Sequence, residues 1–507
     1  MAGRASSASS SFGLPIAATT GTAPSRPIPF TRRSSIIWRP SSPQPKTPKT
    51  CWGESMGRGG WGFGTRWRSL GKILSQFRAK RTVVGRSPLT DDTLDSRMLS
   101  MSTSPAAGRI AIQRCDRFVG RTMNWMYDHF RHLPRYRPVV LAGLLENRDE
   151  FPEVEARLWG GESLPRRVWR TASRGRVFPP DLLGLRKEGP AVLHSHFGWV
   201  ATGDHELRRA LDIPWVVGIY GADAWEIPRD ARRRARLERV FRDADLVLPL
   251  GPVMSEQLHQ LGCSRDKLLV HNLGVDVQAL AFTERQRAPE APLRLLFAGT
   301  FREKKGVEYL VEAVHLLRSR GLPIHLDLVG DVAGKPGDSA TKAEILARIA
   351  RWDLEPHVTR HPFLPFDRLV DLAHRCHVLV APSVTAASGD REGTVFVIQQ
   401  MMATGMPVVS TRHADIPYAF GALSDRLVPE RDAGALADAL QPYLEDEEAL
   451  SREGRRFRAH AEENLDIRVA CTALADAYDS VIAGQRPRGG SPSGNGHSFS
   501  GNTKSGP

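Results

Sequence analysis

The sequence predicts an α/β protein: two Rossmann-like domains facing a cleft, with a C-terminal helix crossing back to the first domain. Three observations carry this prediction. From about Ile110 short apolar segments of strand length alternate with helical segments, the pattern of parallel α/β units rather than of a sandwich or a bundle. The alternation comes in two series, separated by FTERQRAPEAP, Phe282 to Pro292, whose charge and prolines suit an exposed connector. The chain has 507 residues, 41% of them hydrophobic and 25% charged, which is ordinary composition with room for two or three domains.

Taken in order, residues 1–97 read as a disordered basic extension, rich in Ser, Pro, Arg and Gly and without sustained periodicity. Its composition suits an organelle transit peptide or, the simpler account, a reading frame begun too far upstream, with Met98 or Met101 as the true start. Residues 98–285 form the first Rossmann-like domain. Its strands are expected at Val139–Leu145, Ala191–His194, Trp215–Tyr220, Leu246–Leu250 and Lys267–Asn272. Residues 286–465 form the second, with strands at Leu293–Ala298, His325–Val329, His377–Ala381, Pro407–Ser410 and Arg426–Val428. A charged helix around Glu447–Ala461 then leads to an amphipathic helix at 466–485 and a flexible tail at 486–507. In such open parallel sheets ligands bind beyond the carboxyl ends of the strands.

The formal charge of +14 would suggest nucleic acid or an anionic surface, but its location removes that argument. Residues 1–90 hold fifteen Lys and Arg against one acid, and the rest of the chain has 55 of each sign. A nucleic-acid partner is therefore not expected. The five cysteines, Cys51, Cys115, Cys263, Cys376 and Cys471, are far apart and form neither a zinc spacing nor an evident disulfide framework, so a reducing cytoplasm is the simplest setting. No apolar run approaches the roughly 18 residues that span a bilayer.

Chemistry concentrates in the second domain. FAGTFREKKGVEYLVEAVHLL sets a strand, a glycine turn, a basic cluster and a helix in succession, gathering Arg302, Lys304 and Lys305 at a strand end. An anionic diphosphate would be held there by charge together with helix N-terminal amides, although a solvated basic turn explains the same residues. LDLVGDVAGKPGDSA adds a glycine-containing turn with Asp331. The stretch EGTVFVIQQMMATGMPVVS, Glu392 to Ser410, then runs from a polar loop into a helix and a strand. Glu392 and Gln400 would stand at most about 12 Å apart along a helix axis, a span that suits two ends of a sugar nucleotide.

This last segment resembles the E-x7-E region of glycosyltransferase family 4, in the pattern EGxxxxxxEAMAxGxPVV, matched by Glu392, Gly393, Met402, Ala403, Gly405, Pro407, Val408 and Val409. GTFREKKGVEYL resembles that family's phosphate-binding turn, and LGPVMSEQLHQLGCSRDKLLVHNLGVD its inter-domain approach, so the similarity covers about residues 110–485 and points to bacterial exopolysaccharide, colanic-acid-type, transferases. The resemblance implies a GT-B fold, a nucleoside-diphosphate-sugar donor bound mainly by the second domain, and hexosyl transfer with retention of configuration and no bound metal or other cofactor. It implies that Lys305, with Arg302, contacts the donor diphosphate, that Glu392 lies against the donor sugar, and that Gly393 and Thr394 complete the donor site. Gln400 stands where the family has a second glutamate that accepts hydrogen bonds from the ribose, and a neutral amide keeps one acceptor but loses the charge. Thr300 replaces the arginine of a glycine-arginine pair, with Arg302 two positions on as its substitute.

In the first domain, VLHSHFGWVATG resembles the family's HxHF segment and places His194 and His196 at a strand end, as structural or as acceptor-contacting residues. IYGADAWEIP resembles its HGxD loop, with Tyr220 where many members have a histidine, and with Asp223 orienting the acceptor or capping the next segment. No general base can be assigned, and the implied mechanism lets the leaving diphosphate accept the proton. NWMYDHFRHLPRYRP mixes aromatic and basic residues; it reads as a core-packed first helix with a basic end, or as a contact with an anionic membrane where lipid-linked acceptors are found. The reading is a cytoplasmic glycosyltransferase, peripheral on the inner face of the plasma membrane, acting on a polysaccharide or lipid-linked saccharide acceptor. Two rivals share the site: a non-catalytic sugar-nucleotide-binding scaffold, suggested by Thr300, Gln400 and Tyr220, and an epimerase or hydrolase on the same fold that needs no acceptor sugar. A dehydrogenase is disfavoured because no GxGxxG opens either series.

Overall fold

Two all-parallel sheets organise the chain. The computed structural model describes residues 108–120, 123–160, 163–173 and 177–486; the expectations for residues 1–97 and for the tail after Arg486 lie outside them. The first sheet contains β1 (Arg109–Phe118), β2 (Tyr136–Leu145), β3 (Ala156–Leu158), β4 (Pro190–His196), β5 (Trp215–Ile219) and β6 (Leu246–Pro249), in the order β3-β2-β1-β4-β5-β6. The second contains β7 (Leu293–Ala298), β8 (Ile324–Val329), β9 (Val358–His361), β10 (Val378–Ala381) and β11 (Val408–Ser410), in the order β11-β10-β7-β8-β9. Both orders are doubly wound and reverse at one point, between β1 and β4 in the first sheet and between β7 and β10 in the second. The crevice at such a reversal, beyond the carboxyl ends of the strands, is where this architecture leaves room for a ligand.

The strands form where both faces can be buried. WVVGI of β5 and VLVA of β10 are buried along their whole length, as expected of central parallel strands covered by helices on both sides. The terminal helix Ile467–Ile482 leaves the second sheet and packs Leu474, Tyr478 and Val481 against Ala111, Val192, Val216 and Leu248 of the first. Arg135 pairs with Asp476 and Asp479, and the Tyr136 hydroxyl donates to Asp479 Oδ1 at 2.7 Å, so the crossing helix is pinned by charge as well as by apolar burial. Both sheets belong to one compact unit.

Several expectations need correction. β1, β3 and β9 are strands that the apolar pattern does not mark. β1 is central yet reads RIAIQRCDRF, and its polar residues are satisfied by distant partners: Arg114 by Asp204 at 2.9 Å, Gln113 by His196 at 2.8 Å. β3 and β9 are short, partly exposed edge strands. The strand expected at Lys267–Asn272 begins in a 3₁₀ turn and only runs beside β6, with the Leu269 and His271 amides donating to Val247 and Pro249. That expected at Arg426–Val428 makes a single bridge from Val428 to Thr411. The connector is not simply exposed, because Arg285 is buried and its guanidinium donates to the carbonyls of Thr283 and Thr404. Burial lowers its pKa to about 10.

Candidate functional site

At the reversal point of the second sheet, β7 and β10 send their carboxyl-end loops toward each other. β7 exits through Gly299 and Arg302 into the 3₁₀ turn Glu303–Lys305, and the helix Val307–Ser319 follows. β10 exits into a long loop that reaches Asp390, Arg391 and Glu392 before the helix Phe396–Ala403 starts. Glu392 is therefore four residues upstream of that helix while Gln400 lies within it, and the expected helix-axis spacing between the two does not apply.

The two loops meet as an ion cluster. Lys304 Nζ lies 3.3 Å from Glu392 Oε1 and 3.3 Å from Asp390 Oδ2, and Lys305 Nζ lies 3.2 Å from Glu392 Oε2. Arg302 lies 2.8 Å from Asp390 Oδ2, 3.7 Å from Asp338 Oδ1 and 3.6 Å from Glu226 Oε2, the last on the first domain. Burial alone would raise the Glu392 carboxyl, but the ammonium groups of Lys304 and Lys305 outweigh it and hold its pKa at about 2. A buried carboxylate thus stays ionised between two lysines.

Glu392 is held from behind as well. Its amide donates to His413 Nε2 at 3.0 Å, which requires that nitrogen to be unprotonated. The His413 proton then sits on Nδ1 and is donated to Glu430 Oε1 at 2.7 Å. Burial lowers the His413 pKa despite the facing carboxylate, which fits the neutral tautomer.

Gly393 sits at the junction of the domains: a Cβ there would come within 2.7 Å of Leu250 Cδ1 and 3.1 Å of the Tyr220 carbonyl, so any side chain would press both apart. Thr394 Oγ1 is buried with no hydrogen-bond partner among the described residues. Gln400 is buried in the helix, and its neighbour Gln399 donates to Asn272 Oδ1 of the first domain at 2.9 Å. Thr300 offers no guanidinium, and Arg302 is the one arginine of this turn. Asp331 is drawn to Lys342 at 2.6 Å.

The first sheet presents a different surface at its own reversal point. His194 and His196, at the end of β4, are buried and stacked with ring centroids 4.1 Å apart. His194 Nδ1 is 2.6 Å from the Tyr478 hydroxyl of the terminal helix; His196 Nδ1 is 2.7 Å from the Tyr220 hydroxyl and its Nε2 2.8 Å from Gln113. Burial lowers the pKa of His196 to about 3 and that of His194 well below its ordinary value. The Tyr220 hydroxyl is turned inward to His196, and its ring packs on Trp125 at 4.9 Å and Phe197 at 4.8 Å. Asp223 accepts the amides of Gly198 at 3.0 Å, Tyr220 at 3.0 Å and Gly221 at 2.8 Å. Its carboxylate ties the loop after β4 to the loop after β5.

The sequence marks Lys304 only as part of a basic cluster; burial makes it a central member. Asp390, His413 and Glu430 lie in no motif that the sequence offers. The available signal was position, since each lies in a segment just beyond a strand of the second sheet or, for Glu430, beyond the bridge from Val428 to Thr411. Among the described residues no group of three or more His, Cys, Asp or Glu side chains is arranged to hold a metal ion.

Comparison with known proteins follows the two sheets. Residues 119–274 match the family described as glycosyl transferase 4-like domain, and residues 292–446 match glycosyl transferases group 1. A protein of Escherichia coli (strain K12) described as a colanic acid biosynthesis glycosyltransferase, WcaL, is 32% identical over 247 residues, 48% of this chain. The amylovoran biosynthesis glycosyltransferase AmsK of Erwinia amylovora is 29% identical over 315 residues, 61% of this chain. The chain spans 59% of the length of the first relative and 75% of the second. Among solved structures, sucrose-phosphate synthase from Thermosynechococcus elongatus superposes with a TM-score of 0.58 at 18% identity, covering 74% of this chain and 100% of that one. Anabaena HepE in complex with UDP-glucose superposes with a TM-score of 0.58 at 14% identity, covering 73% and 99%. At such identities these structures speak for the fold alone. Each of the two sheets thus carries a match to a glycosyltransferase domain family, and the chain has the GT-B fold and resembles glycosyltransferases of bacterial exopolysaccharide type.

Proposed function

We propose that this chain transfers a sugar, with retention of configuration, from a nucleoside diphosphate sugar to a saccharide or lipid-linked precursor of an extracellular polysaccharide. The observation that carries the reading is Glu392, buried and ionised between Lys304 and Lys305 at the reversal point of the second sheet. In this reading Lys305 and Arg302 take the donor diphosphate, exchanging protein carboxylates for phosphate oxygens. Glu392 stays beside the sugar and stabilises positive charge developing at its anomeric carbon. Gly393 lets the backbone come close, the free Thr394 hydroxyl bonds the donor, and Gln400 meets the ribose. The two relatives are named for colanic acid and amylovoran biosynthesis, which supports a polysaccharide precursor as acceptor. HepE, which shares the fold, was solved with UDP-glucose, a donor of the class proposed here.

The first domain then supplies a shaped wall rather than a base. His196 bonds Tyr220 and Gln113, His194 bonds Tyr478, and Asp223 is taken up by backbone amides. The leaving diphosphate accepts the acceptor proton on the same face. The lysines and Arg302 supply the positive charge for the leaving group without a metal.

Calorimetric titration with UDP, GDP and ADP, followed by turnover of the matching sugar nucleotides, tests the reading. One nucleotide should bind and its sugar be transferred. Glu392→Gln should lower transfer by about 100-fold, as for loss of an electrostatic stabiliser, while leaving nucleotide affinity within a few-fold, because Lys305 loses a competitor for phosphate. Binding of a nucleotide without turnover of its sugar would favour the non-catalytic sugar-nucleotide-binding scaffold, and no binding to any nucleotide would overturn both readings. Release of free sugar from donor alone would favour a hydrolase.

A cytoplasmic protein that reaches lipid-linked acceptors needs a surface for the bilayer, and among the described residues no helix is long and apolar enough to cross one. The stretch NWMYDHFRHLPRYRP does not supply it, because Trp125, Met126, Tyr127 and Phe130 are buried. The helix Leu164–Ala172, which follows the carboxyl end of the edge strand β3, is a better match: Leu164 is 73% exposed and Val168 50%. The helix sequence LPRRVWRTA contains three arginines and no acid, and one of them, Arg166, pairs with Asp181 at 2.6 Å. We infer that this face rests on anionic lipid. In the full chain, Leu164→Ser with Val168→Ser should cut co-sedimentation with phosphatidylglycerol vesicles several-fold; unchanged sedimentation would assign the membrane affinity to another segment.

A further inference from the structure

The helix Pro252–Gln260 of the first domain begins without a cap of its own. Its N-cap is Gly251, its first helical residue is a proline with no amide hydrogen, and the first amides left to satisfy are those of Val253 and Met254. Both are taken by one carboxylate from the other domain: Val253 donates to Asp415 Oδ1 at 2.8 Å and Met254 to Asp415 Oδ2 at 3.0 Å. A Cβ at position 251 would stand 2.4 Å from the Asp415 carboxyl carbon, so any side chain there would expel the visitor. Asp415 meanwhile heads its own short helix, Ile416–Phe420, and makes no side-chain bond to it. The carboxylate is fully buried and turned away from its own segment to serve the facing domain.

Asp415 also ends the loop that carries His413. From β11 the chain passes Thr411, whose hydroxyl bonds the Ser383 carbonyl, then His413, which receives the Glu392 amide, then Ala414, then Asp415. Ala414 has φ of 43°, a left-handed conformation that alanine rarely adopts. Such a conformation persists where its neighbours are fixed on both sides, here by His413 toward Glu392 and by Asp415 toward the first domain. Around the same seam Gly393 abuts Tyr220 and Leu250, and the Arg391 guanidinium lies 5.1 Å from the Trp225 ring.

We propose that Asp415 is a positioning residue, an inter-domain clasp whose capping of the Pro252–Gln260 helix is transmitted through Ala414 and His413 to the place of Glu392. For its effect on catalysis the proposal rests on the transferase reading above; the clasp itself does not. The class of interaction is a helix N-cap supplied from the opposite side of the cleft, which makes the docking of the domains and the setting of the carboxylate one event.

Two variants separate a clasp from an ordinary cap. Asp415→Ala removes the carboxylate. Combining Asp415→Gly with Gly251→Ser supplies a local N-cap to the same helix without rejoining the domains; glycine is needed at 415 because the Asp415 Cβ itself would stand 2.6 Å from a Cβ at 251. With the full chain, Asp415→Ala should lower kcat at least tenfold with nucleotide Kd within twofold of wild type. Hydrogen exchange should accelerate at the Val253, Met254 and Glu392 amides. The double variant should restore protection at Val253 and Met254 and recover the melting temperature, while kcat and Glu392 exchange stay as in Asp415→Ala. Recovery of kcat and of Glu392 protection by Gly251→Ser would overturn the clasp and leave Asp415 a helix cap. If Asp415→Ala does not fold, Asp415→Asn, which keeps one acceptor oxygen, should show the same split at smaller size, and wild-type Glu392 exchange in it would overturn the proposal. Should wild-type protein turn over no sugar nucleotide, the transferase reading fails, and the Glu392 exchange alone decides the clasp.

Discussion

The reversal points of the two sheets place the same backbone geometry in front of the same cleft and fill it with opposite chemistry. Beyond β7 and β10 the side chains are ions, Arg302, Lys304, Lys305, Asp390 and Glu392, each buried or half-buried against an opposite charge. At the first reversal point they are neutral donors and acceptors, Gln113 of β1, His194 and His196 of β4, Tyr220 after β5 and Tyr478 of the terminal helix, linked in a chain of hydrogen bonds. Burial explains both. An ion survives desolvation when a counter-ion is in contact, and an imidazole without one gives up its proton. The fold therefore sets where a ligand can sit, while the local partners decide whether that place can neutralise a diphosphate or only shape a wall.

The largest expected effect separates the two poles by pH. His196 and His271 are held by burial at pKa values of about 3 and about 4, below the ordinary value of 6.5. Groups whose folded pKa is depressed in this way are neutral in the native protein but bind a proton on unfolding. Stability is therefore full above about pH 6.5 and falls as pH drops below it. Between pH 7.5 and 5 each should cost on the order of 2 kcal/mol, and His129 and His194, lowered in the same direction, add to the loss. Glu392, at about 2, stays ionised over the same window in the folded protein, and its stabilisation is lost only as pH falls below its unfolded value of about 4.5. Urea unfolding followed at half-unit steps of pH should show a steep fall that His196→Asn makes shallower and Glu392→Gln does not. A flat profile from pH 7.5 to 5 would mean that the histidines find counter-charges on protonation and that the poles are less different than their static geometry.

This contrast was only partly legible in the sequence. The second pole could be read because its residues lie close together in the chain: Arg302 to Lys305 fall in one turn, and Glu392 to Gln400 in one loop and helix. The first pole is assembled from β1, β4, β5 and the terminal helix, and Tyr478 stands 284 residues from the His194 it bonds. No local pattern joins them. β1 itself was missed because Gln113 and Arg114 break its apolar run, and the partners that make them tolerable lie far along the chain. The strands expected at Lys267–Asn272 and Arg426–Val428 failed for the reverse reason: their composition suits a sheet, but each lies beside the last strand of its sheet with few backbone bonds. Asp415 and Gly251 were invisible for a third reason, since a cap shared across domains leaves a glycine and an aspartate in places where either is ordinary.

The smallest expected effect concerns the one family carboxylate that the second pole lacks. Gln400 is 5% exposed, so Gln400→Glu would bury a charge that no described residue was shown to neutralise. In the free protein the new carboxyl should be protonated more readily than an ordinary glutamate, and the variant should be slightly less stable. A ribose changes that balance, because its hydroxyls donate to a carboxylate more strongly than to an amide oxygen. The nucleotide that binds wild type should therefore bind Gln400→Glu a few-fold tighter, under about 1.4 kcal/mol. The gain should shrink as pH is lowered, since the carboxylate must be ionised to supply it. The 2′-deoxy form of the same nucleotide sharpens the test: if Gln400 faces the ribose, most of the gain should vanish with the missing hydroxyl. Equal gains for both nucleotides would place the new charge near the base or the lysines instead. No gain for either would confine the donor site to the Lys304, Glu392 and Lys305 cluster, with Gln400 a packing residue of its helix.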